Sequence, residues 1–150
     1  MGHPTIYPTG VTVYNPEKCW NGFTIFQALE VGAVLMNMNG RENKVWKGVH
    51  GFPNKIFPGG YLMTSRGSRD GRYGVQDGLD LVQIDWDGNV VWKFDRNEYI
   101  EDPGIPGRWM ARSHHDYQRE GSTTGYYAPG MEPKTDSGNT LVIRSILMPS

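Results

Sequence analysis

One cysteine, Cys19, is the whole thiol complement of the 150 residues. An intrachain disulfide is therefore impossible, and a cysteine-based metal site is excluded with it. Cys19 reads as a small buried or semi-exposed side chain, because a catalytic thiol needs a basic partner close in space. No run approaches the ~20 apolar residues that a membrane-crossing helix takes. The opening Met-Gly-His-Pro-Thr-Ile-Tyr has neither a basic start nor an apolar core. No export signal is read there, and the chain as it stands is expected to be soluble and cytoplasmic. Charge of one sign is lacking too. The formal net charge is −1, which removes the field that a nucleic acid or an anionic membrane would call for. There is no Gly-x-x-x-x-Gly-Lys-Ser/Thr loop for a nucleotide and no His-Glu-x-x-His pair for zinc. No metal and no cofactor are expected.

Turn formers and aromatics are abundant instead. Twenty glycines and ten prolines are spread between apolar runs, the distribution of many short strands joined by turns. Five tryptophans and eight tyrosines favour pleated, half-buried surfaces. Residues 1–20 are turn-rich, with Val11-Thr12-Val13-Tyr14 as a short strand candidate and residues 16–20 as the start of a helical turn. Residues 23–29 are apolar without a period that separates helix from strand. The clearest signals are two strand–turn–strand units. One runs from Ala33 to Lys47 around Asn39-Gly40, the other from Asp80 to Phe94 around Asp87-Gly88. Glycine supplies the positive φ of a tight turn, and Asn or Asp tolerates its neighbourhood.

The two units resemble each other. Gly40 and Gly88 lie 48 residues apart, and Trp46 and Trp92 lie 46 apart. Pro58-Gly59-Gly60-Tyr61-Leu62-Met63 is echoed by Ser137-Gly138-Asn139-Thr140-Leu141-Val142, each with histidine upstream: His50, then His114-His115. A short-strand repeat of this period is the pattern of propeller blades rather than of helical solenoids. The predicted fold class is all-β, a partial β-propeller of about two blades. Residues 1–30 lead in and residues 31–150 form incomplete blades. A β-sandwich with accidental similarity is the competing architecture. Closure takes about four to eight blades, and at ~45 residues each six would need about 270. The chain therefore reads as a fragment. Its open blade edges and apolar faces make self-association an expectation.

The wording of the motifs adds a family. Residues 10–22, Gly-Val-Thr-Val-Tyr-Asn-Pro-Glu-Lys-Cys-Trp-Asn-Gly, resemble the opening of the PAPS-independent arylsulfotransferases. His50-Gly51-Phe52-Pro53-Asn54-Lys55, residues 82–92 and His114-His115-Asp116-Tyr117-Gln118-Arg119-Glu120 are similar to that family as well, so the resemblance covers most of residues 10–143. It implies a six-bladed propeller that moves a sulfuryl group from an aryl sulfate donor to a phenolic acceptor. The transfer would run through a transient sulfohistidine without a nucleotide sulfate donor, with histidines and an arginine lining a central channel. A periplasmic setting is the family's alternative to a cytoplasmic one. The last seven residues depart from the pattern, and the nucleophilic histidine is expected in blades outside this chain. A non-catalytic propeller piece, serving in binding or assembly, is the competing function.

Sulfuryl transfer resembles phosphoryl transfer, with charge spread over equatorial oxygens while donor and acceptor lie in line. It needs a nucleophile or base usable near neutral pH, an acid for the departing phenolate and a cation for the oxygens. Arg112-Ser113-His114-His115-Asp116 offers these types within five positions. In an extended segment Arg112, His114 and Asp116 share one face, and Ser113, His115 and Tyr117 the other. The candidate catalytic residues are Arg112, His114, His115 and His50, and the candidate substrate-binding residues are Arg66 and Tyr117. Each has a plainer reading: a histidine hydrogen-bonded to backbone at a strand end, or a turn histidine beside Gly51 and Pro53. Arg66, Arg69 and Arg72 read foremost as a solvated loop balanced by Asp70 and Asp77. Asp85-x-Asp87-Gly88-Asn89 lacks the distal Glu and flanking helices of a calcium loop, so it reads as a hairpin turn. Trp46, Trp86 and Trp92 read as sheet packing.

Overall fold

The computed structural model describes residues 9, 11–74, 76–120 and 138–146. Among these, regular structure is all β apart from one 3-10 turn at Pro58–Gly60, and no helix is long and apolar enough to cross a membrane. The expected strand at Val11–Tyr14 is absent. Residues 16–18 form a tight turn rather than the start of a helix, fastened by Asn15, whose Oδ1 accepts the Glu17 N–H at 3.1 Å. Cys19 is exposed.

Among the described residues, eleven strands form four antiparallel sheets. The first sheet is β1 (Phe23–Ala28), β2 (Gly32–Asn37) and β3 (Glu42–Lys47). The apolar run at 23–29 thus resolves as strand, because six consecutive residues pair with β2. The central sheet is a four-stranded meander of β4 (Lys55–Phe57), β5 (Tyr61–Thr64), β6 (Val82–Ile84) and β7 (Val90–Lys93). A separate hairpin, β8 (Glu98–Asp102) with β9 (Ile105–Met110), precedes the third sheet, β10 (Ser113–Arg119) paired with β11 (Thr140–Arg144).

Both predicted hairpins form, and they are built alike. In β2–β3 the Asn37 Oδ1 accepts the N–H groups of Asn39 and Arg41, each at 3.0 Å. In β6–β7 the Asp85 Oδ1 accepts those of Asp87 and Asn89 at 2.9 and 2.8 Å. Gly40 and Gly88 take φ of 75° and 93°, the left-handed region that tight turns need. Each hairpin has a register shift beside its turn, between Leu35 and Met36 and between Gln83 and Ile84. Trp46 then pairs with Ala33, and Trp92 with Gln83.

Alternation of side chains gives the central sheet two apolar faces. One carries Leu62, Val82 and Ile84 and packs against Ala33, Leu35, Trp46 and Val49 of the first sheet and the segment after it. The other carries Phe57, Met63 and Trp92 and packs against Tyr117 and Val142 of the third sheet. The central sheet is thus covered on both sides, by the sheet before it and the sheet after it. Among the described residues the stack does not close on itself.

Candidate functional site

The segment joining β5 to β6 is held against the β9–β10 junction by backbone hydrogen bonds. Gly78 N–H donates to Ser113 O at 2.7 Å, Arg112 N–H to Gly78 O at 3.0 Å, and Ala111 N–H to Leu79 O at 2.9 Å. Glycine at 78 permits this close approach, since a Cβ there would stand 2.4 Å from Ser113 Oγ and 3.1 Å from the Asp80 carbonyl oxygen. This docking delivers Asp77, 2% exposed, beneath β10.

Four side chains converge on Asp77. Its Oδ1 accepts Ser145 Oγ at 2.8 Å and lies 3.1 Å from His114 Nδ1. Its Oδ2 accepts Arg69 Nη1 and Arg112 Nε, each at 3.2 Å. Arg69 also grips Asp102 with two nitrogens, at 2.6 and 2.9 Å. Arg112 reaches Glu98 at 3.3 Å, and Arg144 reaches the other Glu98 oxygen at 3.0 Å. Three carboxylates and three guanidiniums therefore alternate from Asp102 to Arg144, and their charges cancel. Burial opposes ionisation of Asp77, but hydrogen bonds from Ser145, Arg112 and Arg69 outweigh it and hold its carboxyl below the usual range.

A carboxylate on Nδ1 places the imidazole proton there and fixes the ring. Nε2 of His114, which has no hydrogen-bond partner among the described residues, is then the available nitrogen of a half-buried, oriented ring. Arg112, Gln76 and His115 all adopt left-handed backbone conformations, with φ of 54°, 64° and 58°. Such conformations gather where surrounding structure over-determines the chain.

The simple alternation expected for residues 112–117 does not hold. Arg112 lies before β10, His115 is left-handed, and the register shifts between Ser113 and Tyr117. Arg112 and His114 do meet, on Asp77, but Asp116 turns away to Lys55 Nζ at 2.7 Å. His115 is exposed, edge-on to the His114 ring at 4.3 Å and 6.2 Å from that of Phe52. His50 is exposed and its N–H donates to Ser65 O at 2.7 Å. It lines a cavity of about 300 Å³ together with Phe52, Ser68, Arg69, Gln76 and Ser113. Phe52 and Ser113 thus link the His50 cavity to the His114–His115 pair.

Of the two candidate substrate-binding residues, Tyr117 lines the His50 cavity as well, whereas Arg66 lies elsewhere. Arg66 pairs with Asp80 at 2.8 Å and faces a second cavity beside Lys44 and Lys47. Tyr117 is buried, its hydroxyl 2.5 Å from Pro53 O and 2.7 Å from Met63 O. Burial raises that phenol well above its usual range. The picture of residues 66–72 as a wholly solvated loop needs correction. Arg69 is buried between Asp77 and Asp102, while the exposed Arg72 holds Asp70 down to about 2. The Asp85 turn is satisfied internally, its second oxygen taking Asn89 Nδ2 at 2.9 Å. Among the described residues, no group of three or more His, Cys, Asp or Glu is placed to hold a metal ion.

Sequence reasoning weighed Asp77 only as a counter-charge and did not single out Glu98, Asp102 or Ser145. The one local signal was Asp77-Gly78 itself, an acid beside a residue that permits close approach. Comparison of the chain with family models, with curated proteins and with solved structures finds no match.

Proposed function

We propose that the chain supplies blades of a β-propeller and acts in sulfuryl transfer from an aryl sulfate to a phenolic acceptor. The observation that carries this reading is the His114–Asp77 pair beside the His50 cavity. This reading moves the nucleophile from blades outside the chain, where the family resemblance puts it, to His114: an imidazole whose Nδ1 is engaged by a buried carboxylate offers Nε2 as a nucleophile, and the carboxylate stabilises the cation that forms on attack. In the first half-reaction the Nε2 lone pair forms an N–S bond as the donor's S–O bond breaks. The departing phenolate takes a proton from His50 or His115. In the second, the acceptor oxygen attacks sulfur, its proton returns to that histidine, and the N–S bond breaks. Arg112 and Tyr117 hold the frame. The propeller part of the reading is supported by the central four-stranded meander, covered on its two faces by the sheets before and after it.

The test is incubation of the full chain with an aryl sulfate alone, then with a phenol. The expected result is a sulfuryl adduct on His114 by peptide mass spectrometry, discharged by the phenol and missing in His114→Gln. Unaltered donor and no adduct would overturn the enzymatic reading. A non-catalytic binding or assembly role is the second reading. One observation favours it: Arg69 and Arg112 are each held between two carboxylates, which leaves neither charge unopposed for a sulfate.

A further inference from the structure

The second cavity, of about 390 Å³, is lined without a break by residues 44–49, and across from them by Arg66, Ile84, Asp87 and Gly88. Side chains alternate between the two faces of a strand, so a cavity that touches every residue in turn sees β3 along its edge. β3 is the outer strand of its sheet, paired with β2 alone among the described residues. Its other edge therefore presents backbone N–H and C=O groups that no strand takes up. The cavity is also long. Leu62 pairs with Ile84 and Thr64 with Val82, so Arg66, beyond Thr64, and Asp87, beyond Ile84, stand at opposite ends of the central sheet.

Cations are set along this length. At the turn end the Lys44 ammonium lies 5.3 Å from the centre of the Trp86 ring and 5.9 Å from that of Trp46. The two rings meet edge to face at 5.4 Å, and Trp46 is fixed by its Nε1–H, which donates to Asp85 O at 3.1 Å. At the other end Arg66 gives its backbone N–H and its Nε–H to the Asp80 carboxylate, each at 2.8 Å. Among the described residues its two terminal nitrogens have no partner, and neither Lys44 nor Lys47 is paired with a carboxylate. Asp87 is the one acid on the cavity wall among those residues. Lys44 and Arg66 are thus held in place with donors to spare, unlike Arg69 and Arg112, which two carboxylates each enclose.

We infer that the free edge of β3 binds an extended acidic peptide, which joins the three-stranded first sheet as a further strand. In strand addition, main-chain hydrogen bonds give affinity and alternate side chains give selection. The acidic character follows from Lys44, Lys47 and Arg66. Lysine on an edge strand keeps other strands away; here it turns away neutral and basic strands and admits one whose carboxylates pair with it. This cavity shares no lining residue with the His50 cavity, so the inference does not depend on sulfuryl transfer.

The test titrates the full chain into a fluorophore-labelled peptide, acetyl-Glu-Val-Glu-Val-Glu-amide, and into versions with glutamine or lysine in place of glutamate, read by anisotropy. Only the glutamate peptide should bind, and Lys44→Gln combined with Lys47→Gln should weaken it at least about tenfold. Those substitutions break no ion pair among the described residues, and circular dichroism verifies the fold. Two further glutamate peptides carry N-methyl groups on alternate residues. In a paired strand only alternate residues turn their N–H groups toward the partner, so one methylated peptide should bind and the other should not. Hydrogen exchange of the wild type should show residues 42–47 protected when the glutamate peptide is added. Absence of binding, equal binding of the glutamine or lysine peptide, methylated peptides that behave alike, or full affinity in the double variant overturns the inference. So does protection of β3 that rises with protein concentration alone, which would give the edge to a second copy. A sulfuryl adduct on His114 without peptide binding removes only this inference, and peptide binding without an adduct removes only the enzymatic reading.

Discussion

Asp77 is the side chain on which the candidate site depends, since it fixes His114 and ties together segments far apart in the chain. Asp77→Asn leaves Arg69 and Arg112 each facing a single carboxylate in a buried setting. Removing one partner of a buried ion pair costs about 3–5 kcal/mol, and urea unfolding at neutral pH should read a loss of that size. The pH dependence has a definite sign. The folded carboxyl titrates below its unfolded value of about 3.9. Between the two values the unfolded chain binds the proton and the native chain does not. The stabilisation is therefore complete above about pH 4 and is lost as pH falls through the folded value. Asp102 and Asp116 are shifted the same way, so Asp77→Asn should flatten the acid limb of the urea midpoint without abolishing it. An unchanged limb would show that Asp77 does not contribute. Gln83 presents the opposite case. It is fully buried on the face with Met63 and Trp92, and among the described residues neither atom of its amide has a partner. An unsatisfied buried amide costs about 1–3 kcal/mol, and methionine fills a similar volume with no such demand. Gln83→Met should raise stability by about 1 kcal/mol, and a fall in the unfolding midpoint would point to a bridging water or ligand at this amide.

The two hairpins were legible because their instructions are local: an Asx-Gly pair, positive φ at the glycine, and apolar arms on either side. Gly88 has open space where a Cβ would go, whereas a Cβ on Gly40 would meet Thr9 and Val11 at 2.7 Å. Gly88→Ala should therefore cost only the left-handed conformation, about 1–2 kcal/mol, and Gly40→Ala distinctly more. Equal losses in parallel thermal melts would sink that distinction. Residues 23–28 were not legible as a strand, since an apolar run of that length has no period of its own and pairing with β2 decided it. The β8–β9 hairpin escaped notice for a related reason. Its turn is Asp102-Pro103-Gly104-Ile105, with Gly104 at φ 77°, but its arms mix charged and aromatic residues without alternation. The Asp77 cluster was illegible in principle. Its members come from positions 69, 77, 112, 114 and 145 and meet only because the segment before β6 docks on the start of β10. The Arg112–His114 pairing was readable as composition within five residues. The left-handed turns that redirect it were not.

At the scale of the molecule, the sheets share their cores instead of each owning one. Leu62 and Met63 are neighbours in β5, yet they point to opposite faces, Leu62 into the core with the first sheet and Met63 into the core with the third. Both are wholly buried. A four-stranded sheet covered on two sides loses one of its two cores when either neighbour leaves. The segment that carries Asp77 and joins β5 to β6 also binds the start of the third sheet directly. These links make the stack one cooperative unit rather than a row of independently melting repeats, in which each unit would contact only its neighbours and could open alone. Leu62→Ala and Met63→Ala should each cost about 2–5 kcal/mol, as large-to-small core changes do. Each should also lower a single transition that tryptophan fluorescence and far-ultraviolet circular dichroism trace at the same denaturant concentration. Trp46 and Trp92 report the two cores separately, one beside Leu62 and the other beside Met63. If Met63→Ala released the environment of Trp92 at a lower urea concentration than that of Trp46, the two cores would be separable and the stack modular.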